Sequence, residues 1–234
     1  MIRYLADEEL QALEKKYFDI LEDIISSNLG SFISQVYTQM LIKDTLIKTN
    51  QVNQIEGAVE NIVESLITER MHWKICSMAA SSDSCFECGD AIVHIDAKTM
   101  LVKAEDNVIN VEKNQTSYIE GDVLYVGKNS NSWTPNLKWY ENHTFYGYVP
   151  NLTYVVRVLY SEESLVENIY LVCLPNGQLG DVFNREKILN AGKSKSKMGE
   201  ALNIRFNLKE IIKVPNQEWR LKQLYSRIAS SRDV

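Results

Sequence analysis

Apolar side chains recur at three- and four-residue steps through the first part of the chain, which is the spacing of one helix face. The first series consists of Leu10, Leu13, Tyr17, Ile20, Leu21, Ile24 and Ile25. A polar, glycine-containing stretch at residues 28–31 interrupts the pattern. A second helix is then predicted from Phe32 to about Asn50, and a third from about Gln54 to Arg70. Residues 1–71 are therefore expected to form a helical region.

Beyond residue 72 the periodicity changes to short runs of β-branched and other apolar residues, which are typical of strands. The predicted strands are residues 91–102, 122–126, 152–160 and 168–174. Residues 127–151 are predicted to form a loop, and a closing helix is predicted from Asn216 to about Ser230. Helices followed by strands predict an α/β or α+β fold built on a mixed central β-sheet. The two regions, 1–71 and 72–234, are expected to form one structural domain.

Composition and charge narrow the choice of protein class only a little. With 45% hydrophobic and 24% charged residues, the chain of 234 residues is expected to fold around a substantial core. No apolar stretch approaches the roughly 18 residues that a membrane span needs. The N-terminus has no apolar segment of the kind found in signal peptides, so a cytoplasmic location is expected. The net charge of −6 does not exclude DNA binding, which requires only a local basic surface.

The predicted strand at residues 91–102 carries two charged side chains, Asp96 and Lys98, among apolar neighbours. Side chains alternate between the faces of a strand, so these two point the same way. Residues 88–90 predict a turn, which makes the preceding segment the first strand of a hairpin. Pairing about that turn brings Asp83 to the level of Asp96 and leaves Asp90 about six residues, roughly 20 Å, away. A shorter or irregular hairpin would bring in Asp90 instead.

Two carboxylates and an ammonium that converge in this way suit the hydrolysis of a phosphodiester. Mg²⁺ takes hard oxygen ligands and needs only one or two carboxylates besides the substrate phosphate. A lysine beside the metal site positions the attacking water and offsets the growing negative charge. Charges in an apolar strand are costly unless they pair or bind a metal. The alternative is an ordinary ion pair between Asp96 and Lys98 on a surface strand.

In these residues the chain resembles the PD-(D/E)xK nuclease superfamily, and most closely its type II restriction endonucleases. That pattern is an acid at the start of one strand, followed by an apolar strand that ends in (D/E)-x-K. Asp83 and the run Asp96-Ala97-Lys98 match it, with Ser82 in place of the usual proline. The resemblance implies that Asp83, Asp96 and Ala97 bind Mg²⁺ and that Lys98 is catalytic.

The resemblance also implies an architecture and partners. It implies a restriction-endonuclease-like mixed sheet flanked by helices, acting as a homodimer on palindromic sites in double-stranded DNA. Residues 1–71 would then serve dimerisation and part of the catalytic core, and residues 72–234 would form the nuclease core with its DNA-recognition loops. Many members carry a supporting glutamate on a helix before the hairpin. Glu60 resembles that residue, with Glu64 one turn further on as a substitute.

Two polar segments are candidates for contact with DNA. The first is the run Asn114, Gln115, Thr116 and Ser117, whose amide side chains suit adenine edges in the major groove. The second contains Lys193, Lys195 and Lys197, within a stretch from Arg185 to Lys213 that has eight basic and three acidic residues. Such a basic segment suits DNA phosphates. An ordinary polar turn and a solvated basic loop are the alternatives.

Other functions remain open at this stage. A repair or mobile-element nuclease would use the same site, and a non-catalytic helical interaction protein would need no site at all. Cys76, Cys85 and Cys88 with His94 form a weak zinc candidate, because a second ligand pair at zinc spacing is missing. Reduced cysteines packed among apolar side chains are the expected arrangement.

Overall fold

The structure of the protein is a computed structural model. The structure describes residues 4–46, 54–76, 82–102, 107–118, 124–126, 131–133, 136–163, 165–176, 189–191 and 203–227. Among these residues, no helix is long and apolar enough to cross a membrane.

Three long helices open the chain, as the apolar periodicity predicts. They are α1 (Asp7–Ser26), α2 (Leu29–Leu46) and α3 (Gln54–Met71). In α1 the Glu9 side chain accepts a hydrogen bond from the backbone N–H of Ala6 at 3.0 Å, which satisfies a donor at the helix start. The apolar stripe of α1 is buried against the rest of the protein. The predicted break between the first two helices is confirmed, although α2 already begins at Leu29.

The helices are followed by a mixed sheet of seven strands. Its strands are β1 (Lys74–Ile75), β2 (Ser84–Glu87), β3 (Ile92–Leu101), β9 (Tyr140–His143), β10 (Gly147–Tyr160), β11 (Val166–Leu174) and β14 (Leu221–Ser226). The order across the sheet is β1-β2-β3-β10-β11-β14, and β9 pairs with the start of β10. The central pair β3 and β10 is parallel, whereas the other neighbours are antiparallel.

A second, smaller sheet lies on the other side of the central one. It consists of β4 (Val108–Glu112), β12 (Leu189–Ala191) and β13 (Asn203–Asn207), in the order β12-β13-β4. The short helix α4 (Leu208–Ile211) follows it directly. Two further strand pairs are β5 (Ser117–Tyr118) with β8 (Leu137–Lys138), and β6 (Leu124–Val126) with β7 (Asn131–Trp133).

The alternation of side chains along β10 divides the core into two parts. Tyr154, Val156 and Val158 pack with the long helices. Val155, between them, packs with the small sheet and α4 on the opposite face. The central sheet is thus covered by helices on one face and by the smaller sheet with its helix on the other. The larger of the two cores joins the helical region to the sheet. The single domain and its two regions, 1–71 and 72–234, stay a prediction.

Two predicted elements are wrong. The closing helix is in fact a 3₁₀ turn (Glu218–Arg220) followed by β14, which hydrogen-bonds to the edge of β11. Leu221 and Leu224 are three residues apart and suggest a helix, but the open edge of β11 offers backbone partners that local periodicity does not reveal. The predicted loop at residues 127–151 contains β7, β8, β9 and the start of β10. Residues 144–146 connect the last two of these strands, and Gly147 at the start of β10 has a φ of 76°.

Candidate active site

The hairpin formed by β2 and β3 has the predicted turn. Glu87 lies opposite Ile92, and Ser84 lies opposite Ile95. Continuing this register by one residue places Asp83 level with Asp96. The Asp83 side chain accepts a hydrogen bond from the backbone N–H of Ala97 at 2.5 Å, so it lies against the strand that carries Asp96.

The alternation of β3 places Asp96 and Lys98 on the face turned away from the long helices. Ile95 and Ala97 point into the core under those helices. Asp96 pairs across to Val155, which belongs to the core under the small sheet. The charged residues therefore lie between the central sheet and the layer that contains β4.

Asp96 is buried, with 2% of its surface exposed, and each of its carboxylate oxygens has a different neighbour. Oδ1 accepts a hydrogen bond from Nε2 of Gln115 at 2.7 Å. Oδ2 lies 2.9 Å from the ammonium of Lys98, an ion pair whose geometry does not complete a hydrogen bond. Lys98 remains partly exposed, with 27% of its side chain accessible. The ammonium thus lies between a buried acid and solvent.

Burial and charge set the protonation of these groups. Burial raises the pKa of Asp96 to about 7, although Lys98 beside it acts in the opposite direction. Burial also raises the pKa of Asp83, against the opposing influence of the Ala97 N–H and of Lys98. Burial, the largest single influence, would lower the pKa of Lys98, but the acids around it, Asp96 first and then Asp83 and Glu112, together raise the pKa. A cation at the two carboxylates would favour their ionised forms.

Asp90 lies at the other end of the hairpin. Its carboxylate accepts hydrogen bonds from the Tyr17 hydroxyl and from the Lys16 ammonium of α1. Half of its side chain is exposed. The turn at residues 88–90 separates it from Asp96, so the structure brings Asp83 and not Asp90 to the Asp96–Lys98 pair.

The two helix glutamates lie on α3, whose side of the sheet is opposite to Asp96. Ser84 donates a hydrogen bond to Glu64 Oε2 at 3.4 Å, which brings Glu64 to the residue that follows Asp83. Glu60, one turn earlier, is half-buried. The supporting role expected for Glu60 or Glu64 stays a prediction.

The polar run at residues 114–117 follows β4 and is turned largely into the protein. Gln115, Thr116 and Ser117 are buried. Gln115 contacts Asp96, and Ser117 donates a hydrogen bond to Asn176 at 3.0 Å. Asn114 is half-buried, so base contacts by this run stay a prediction that applies most directly to Asn114. Lys193, Lys195 and Lys197 lie outside the described residues.

Sequence reasoning did not predict the contact between Gln115 and Asp96. The side-chain oxygen of Gln115 accepts from the backbone N–H of Glu112 at 3.0 Å, so its amide nitrogen is directed at the carboxylate. This contact depends on how β4 packs over the central sheet. Local sequence carries no signal for it.

A buried histidine accompanies the site on the same strand face. His94 Nδ1 lies 3.0 Å from the Ser82 hydroxyl, and Nε2 lies 2.9 Å from Oδ1 of Asn151. Burial lowers its pKa. These bonds hold Ser82, and with it the start of the segment that carries Asp83, against β3.

The donor set suits Mg²⁺ better than zinc. Asp96 Oδ2 is a buried oxygen that is directed at the Lys98 ammonium, and Asp83 lies level with Asp96. Among the described residues, no group of three or more histidine, cysteine, aspartate or glutamate side chains could hold a metal ion. Zinc sites need three or four such ligands, whereas Mg²⁺ needs only one or two carboxylates and retains water.

Solved structures with the same fold are restriction enzymes. The restriction endonuclease BglI bound to its DNA recognition sequence superposes with a TM-score of 0.74 and 13% identity, over 92% of this chain and 90% of that one. Tetrameric restriction endonuclease SfiI bound to cognate DNA gives 0.70 and 17%, over 96% and 88% of the two chains. No curated protein matches the sequence. These superpositions show that the mixed sheet has a restriction-endonuclease fold of the PD-(D/E)xK type.

The family is given by a sequence match. Residues 6–164 match the family model described as type II restriction enzyme MwoI, N-terminal domain. This match covers most of the chain and includes the whole hairpin with Asp83, Asp96 and Lys98. The chain belongs to this family of type II restriction enzymes.

Proposed function

We propose that this restriction endonuclease hydrolyses both strands of DNA at a specific sequence in a Mg²⁺-dependent reaction, with Asp83, Asp96 and Lys98 as its active site. The observation that carries the proposal is the buried Asp96 carboxylate. Its Oδ2 lies 2.9 Å from the ammonium of Lys98, and Asp83 is level with it on the neighbouring strand. Two neighbouring carboxylates are enough to hold Mg²⁺ when a substrate phosphate and water complete its ligands.

Some of these groups would bind the metal, and Lys98 would act on the attacking water and the phosphate. Asp83, Asp96 and the backbone carbonyl of Ala97 would hold Mg²⁺. When bound, Mg²⁺ lowers the pKa of a coordinated water and stabilises charge on the phosphate. Lys98 orients the attacking water and offsets the negative charge that develops on the phosphate. A glutamate of α3, Glu60 or Glu64, would support the metal site.

DNA would be held by groups beside this centre and beyond it. The three lysines Lys193, Lys195 and Lys197 suit contacts to phosphates. Asn114 and its neighbours Gln115, Thr116 and Ser117 are candidates for recognition. That the similar enzymes BglI and SfiI are DNA-bound supports double-stranded DNA as the partner.

We further propose a homodimer that works in the cytoplasm, where the DNA to be cut is found. A palindromic site presents two equivalent strands, so two active sites related by a twofold axis match it. Light scattering of the protein with a short DNA duplex is expected to give two chains per complex. A mass near 26.9 kDa for the protein component would contradict the dimer.

Plasmid digestion tests the proposed function. Incubation with Mg²⁺ is expected to give discrete fragments that share one sequence at their ends, and EDTA is expected to prevent cleavage. Random nicking would instead favour a repair or mobile-element nuclease with the same site. Intact plasmid in Mg²⁺ and in Mn²⁺ would contradict nuclease activity and favour a non-catalytic role.

A further inference from the structure

Two cysteines face each other across neighbouring strands at the edge of the central sheet. The register of β1 on β2 pairs Lys74 with Glu87 and Ile75 with Phe86. One step further, Cys76 lies opposite Cys85, and the Cys76 N–H donates to the Cys85 carbonyl at 2.8 Å. Such directly paired residues have Cα atoms about 5.5 Å apart. This separation is within the range of disulfides, about 4.4–6.8 Å.

The two side chains lie on the same side of the sheet and in contact. Both pack in the small cluster formed with Ile92 and Val149. The neighbouring Cys85 side chain lowers the pKa of Cys76. Cys76 is partly exposed, whereas Cys85 is buried. Cys76 is therefore the thiol that reagents reach first.

The other cysteines are placed differently. Cys88 is three residues beyond Cys85, which directs it to the opposite face, and it packs in the core under the long helices. The Cys-x-x-Cys string therefore does not bring its own two thiols together. Cys173 is fully buried on β11.

We propose that Cys76 and Cys85 are a site of reversible oxidation and form a cross-strand disulfide. With oxidised glutathione, the Cys76 thiolate attacks one sulfur of the disulfide and releases one glutathione thiolate. Cys85 then attacks the Cys76 sulfur, and its proton passes to the departing thiolate, which leaves as the second molecule of glutathione. The two protein thiols are oxidised to one disulfide, and one oxidised glutathione is reduced to two molecules of glutathione.

The bridge would act on the segment that supplies an acid to the active site. Residues 76–85 would become a closed loop that contains Ser82 and Asp83. Ser82 is hydrogen-bonded to His94, and Asp83 to the backbone of Ala97. Oxidation would thus tether β1 to the strand that carries Asp83. The chemistry of the cysteine pair does not rest on the proposed nuclease function.

The sequence itself allows a direct test. The full-length protein is incubated with oxidised glutathione and then denatured without reductant, its free thiols are alkylated, and the chain is cut after acidic residues. Because Asp83 separates Cys76 from Cys85 and Glu87 separates Cys85 from Cys88, the three cysteines fall on different peptides. The expected product is a linked Cys76–Cys85 peptide that lacks two hydrogen atoms, with Cys88 and Cys173 alkylated.

Variants separate this pairing from other oxidation. Cys88→Ser is the matched control and should form the same linked peptide. Cys76→Ser, at the partly exposed position, should leave all remaining cysteines alkylated. A Cys85–Cys88 link, a glutathione adduct on Cys76 with Cys85 still free, or four alkylated cysteines in excess oxidised glutathione would each overturn the proposal.

Discussion

At the scale of single residues, the environment of Asp96 explains why an acid is tolerated in the middle of a buried strand. An ammonium lies at one oxygen and an amide donates to the other. Hydrogen bonds to a charged acceptor are among the stronger ones in proteins. Gln115 therefore restricts rotation of the carboxylate and leaves Oδ2 directed at Lys98. We infer that Gln115 is a positioning residue for the proposed metal ligand.

Replacing Gln115 is expected to weaken metal binding. In Gln115→Ala the Asp96 carboxylate loses its hydrogen-bonded orientation, and loss of such outer partners commonly costs about 10–100-fold in metal affinity. Calorimetric titration with Mg²⁺ measures this directly, without relying on cleavage. The neighbouring substitution Asn114→Ala should leave the Mg²⁺ affinity unchanged. Equal affinities for wild type and Gln115→Ala would contradict the positioning role.

Substitutions of the two acids of the hairpin should have different effects on DNA cleavage. Asp83→Ala is expected to abolish Mg²⁺-dependent cleavage, because its carboxylate lies level with Asp96. Asp90→Ala should retain most of the activity, because Asp90 binds Lys16 and Tyr17 at the far end. The rates at which the two variants and the wild type cleave a plasmid test this assignment. Loss of activity in Asp90→Ala with retention in Asp83→Ala would show that the first acid is misassigned.

At the scale of elements, the sequence predicts those helices and strands that have a clear apolar pattern of their own. The stripe of α1 and the apolar run of β3 predict their elements, and the turn at residues 88–90 predicts the register that brings Asp83 to Asp96. β14 could not be predicted, because it depends on the edge of β11, far away in sequence. The contact of Gln115 with Asp96 likewise depends on tertiary packing of β4.

The basic segment is predicted to serve DNA affinity more than the chemical step. Replacing Lys193, Lys195 and Lys197 with alanine should weaken binding and flatten its dependence on salt. Each lost phosphate contact lowers the slope of log K against log salt by about 0.9. Binding to a duplex at several salt concentrations, in Ca²⁺ to prevent cleavage, measures the slope. An unchanged slope would place these lysines away from DNA.

At the scale of the whole molecule, a buried polar network ties the first helix to the end of the chain. Arg220 donates to the carboxylate of Glu14, and both side chains are almost completely buried. The other oxygen of Glu14 accepts from the backbone and side chain of Asn176 at 2.9 and 3.0 Å. Arg220 also donates to Gln217. This network links α1, the end of β11 and the turn before β14.

Removing one partner of this pair should be strongly destabilising. Arg220→Met leaves the Glu14 charge buried without its partner, which typically costs about 3–5 kcal/mol of unfolding free energy. Urea denaturation measures the difference. Lys213→Ala breaks the exposed ion pair with Glu210 and should cost no more than about 1 kcal/mol. Similar losses of unfolding free energy in the two variants would contradict the stabilising contribution assigned to the buried network.

The central claim is that DNA is cut at the site formed by Asp83, Asp96 and Lys98, and Lys98→Ala tests it most directly. Lys98 is partly exposed and contributes charge more than core volume, so its removal should leave the fold intact. The decisive measurement is the rate of plasmid cleavage in Mg²⁺, with a thermal melt of the same preparation to verify folding. The predicted result is a protein that is still folded at the assay temperature, with cleavage reduced to well below a tenth of the wild-type rate, a barrier increase of more than about 1.4 kcal/mol. A folded Lys98→Ala protein that cuts at more than about a tenth of the wild-type rate would contradict the assignment.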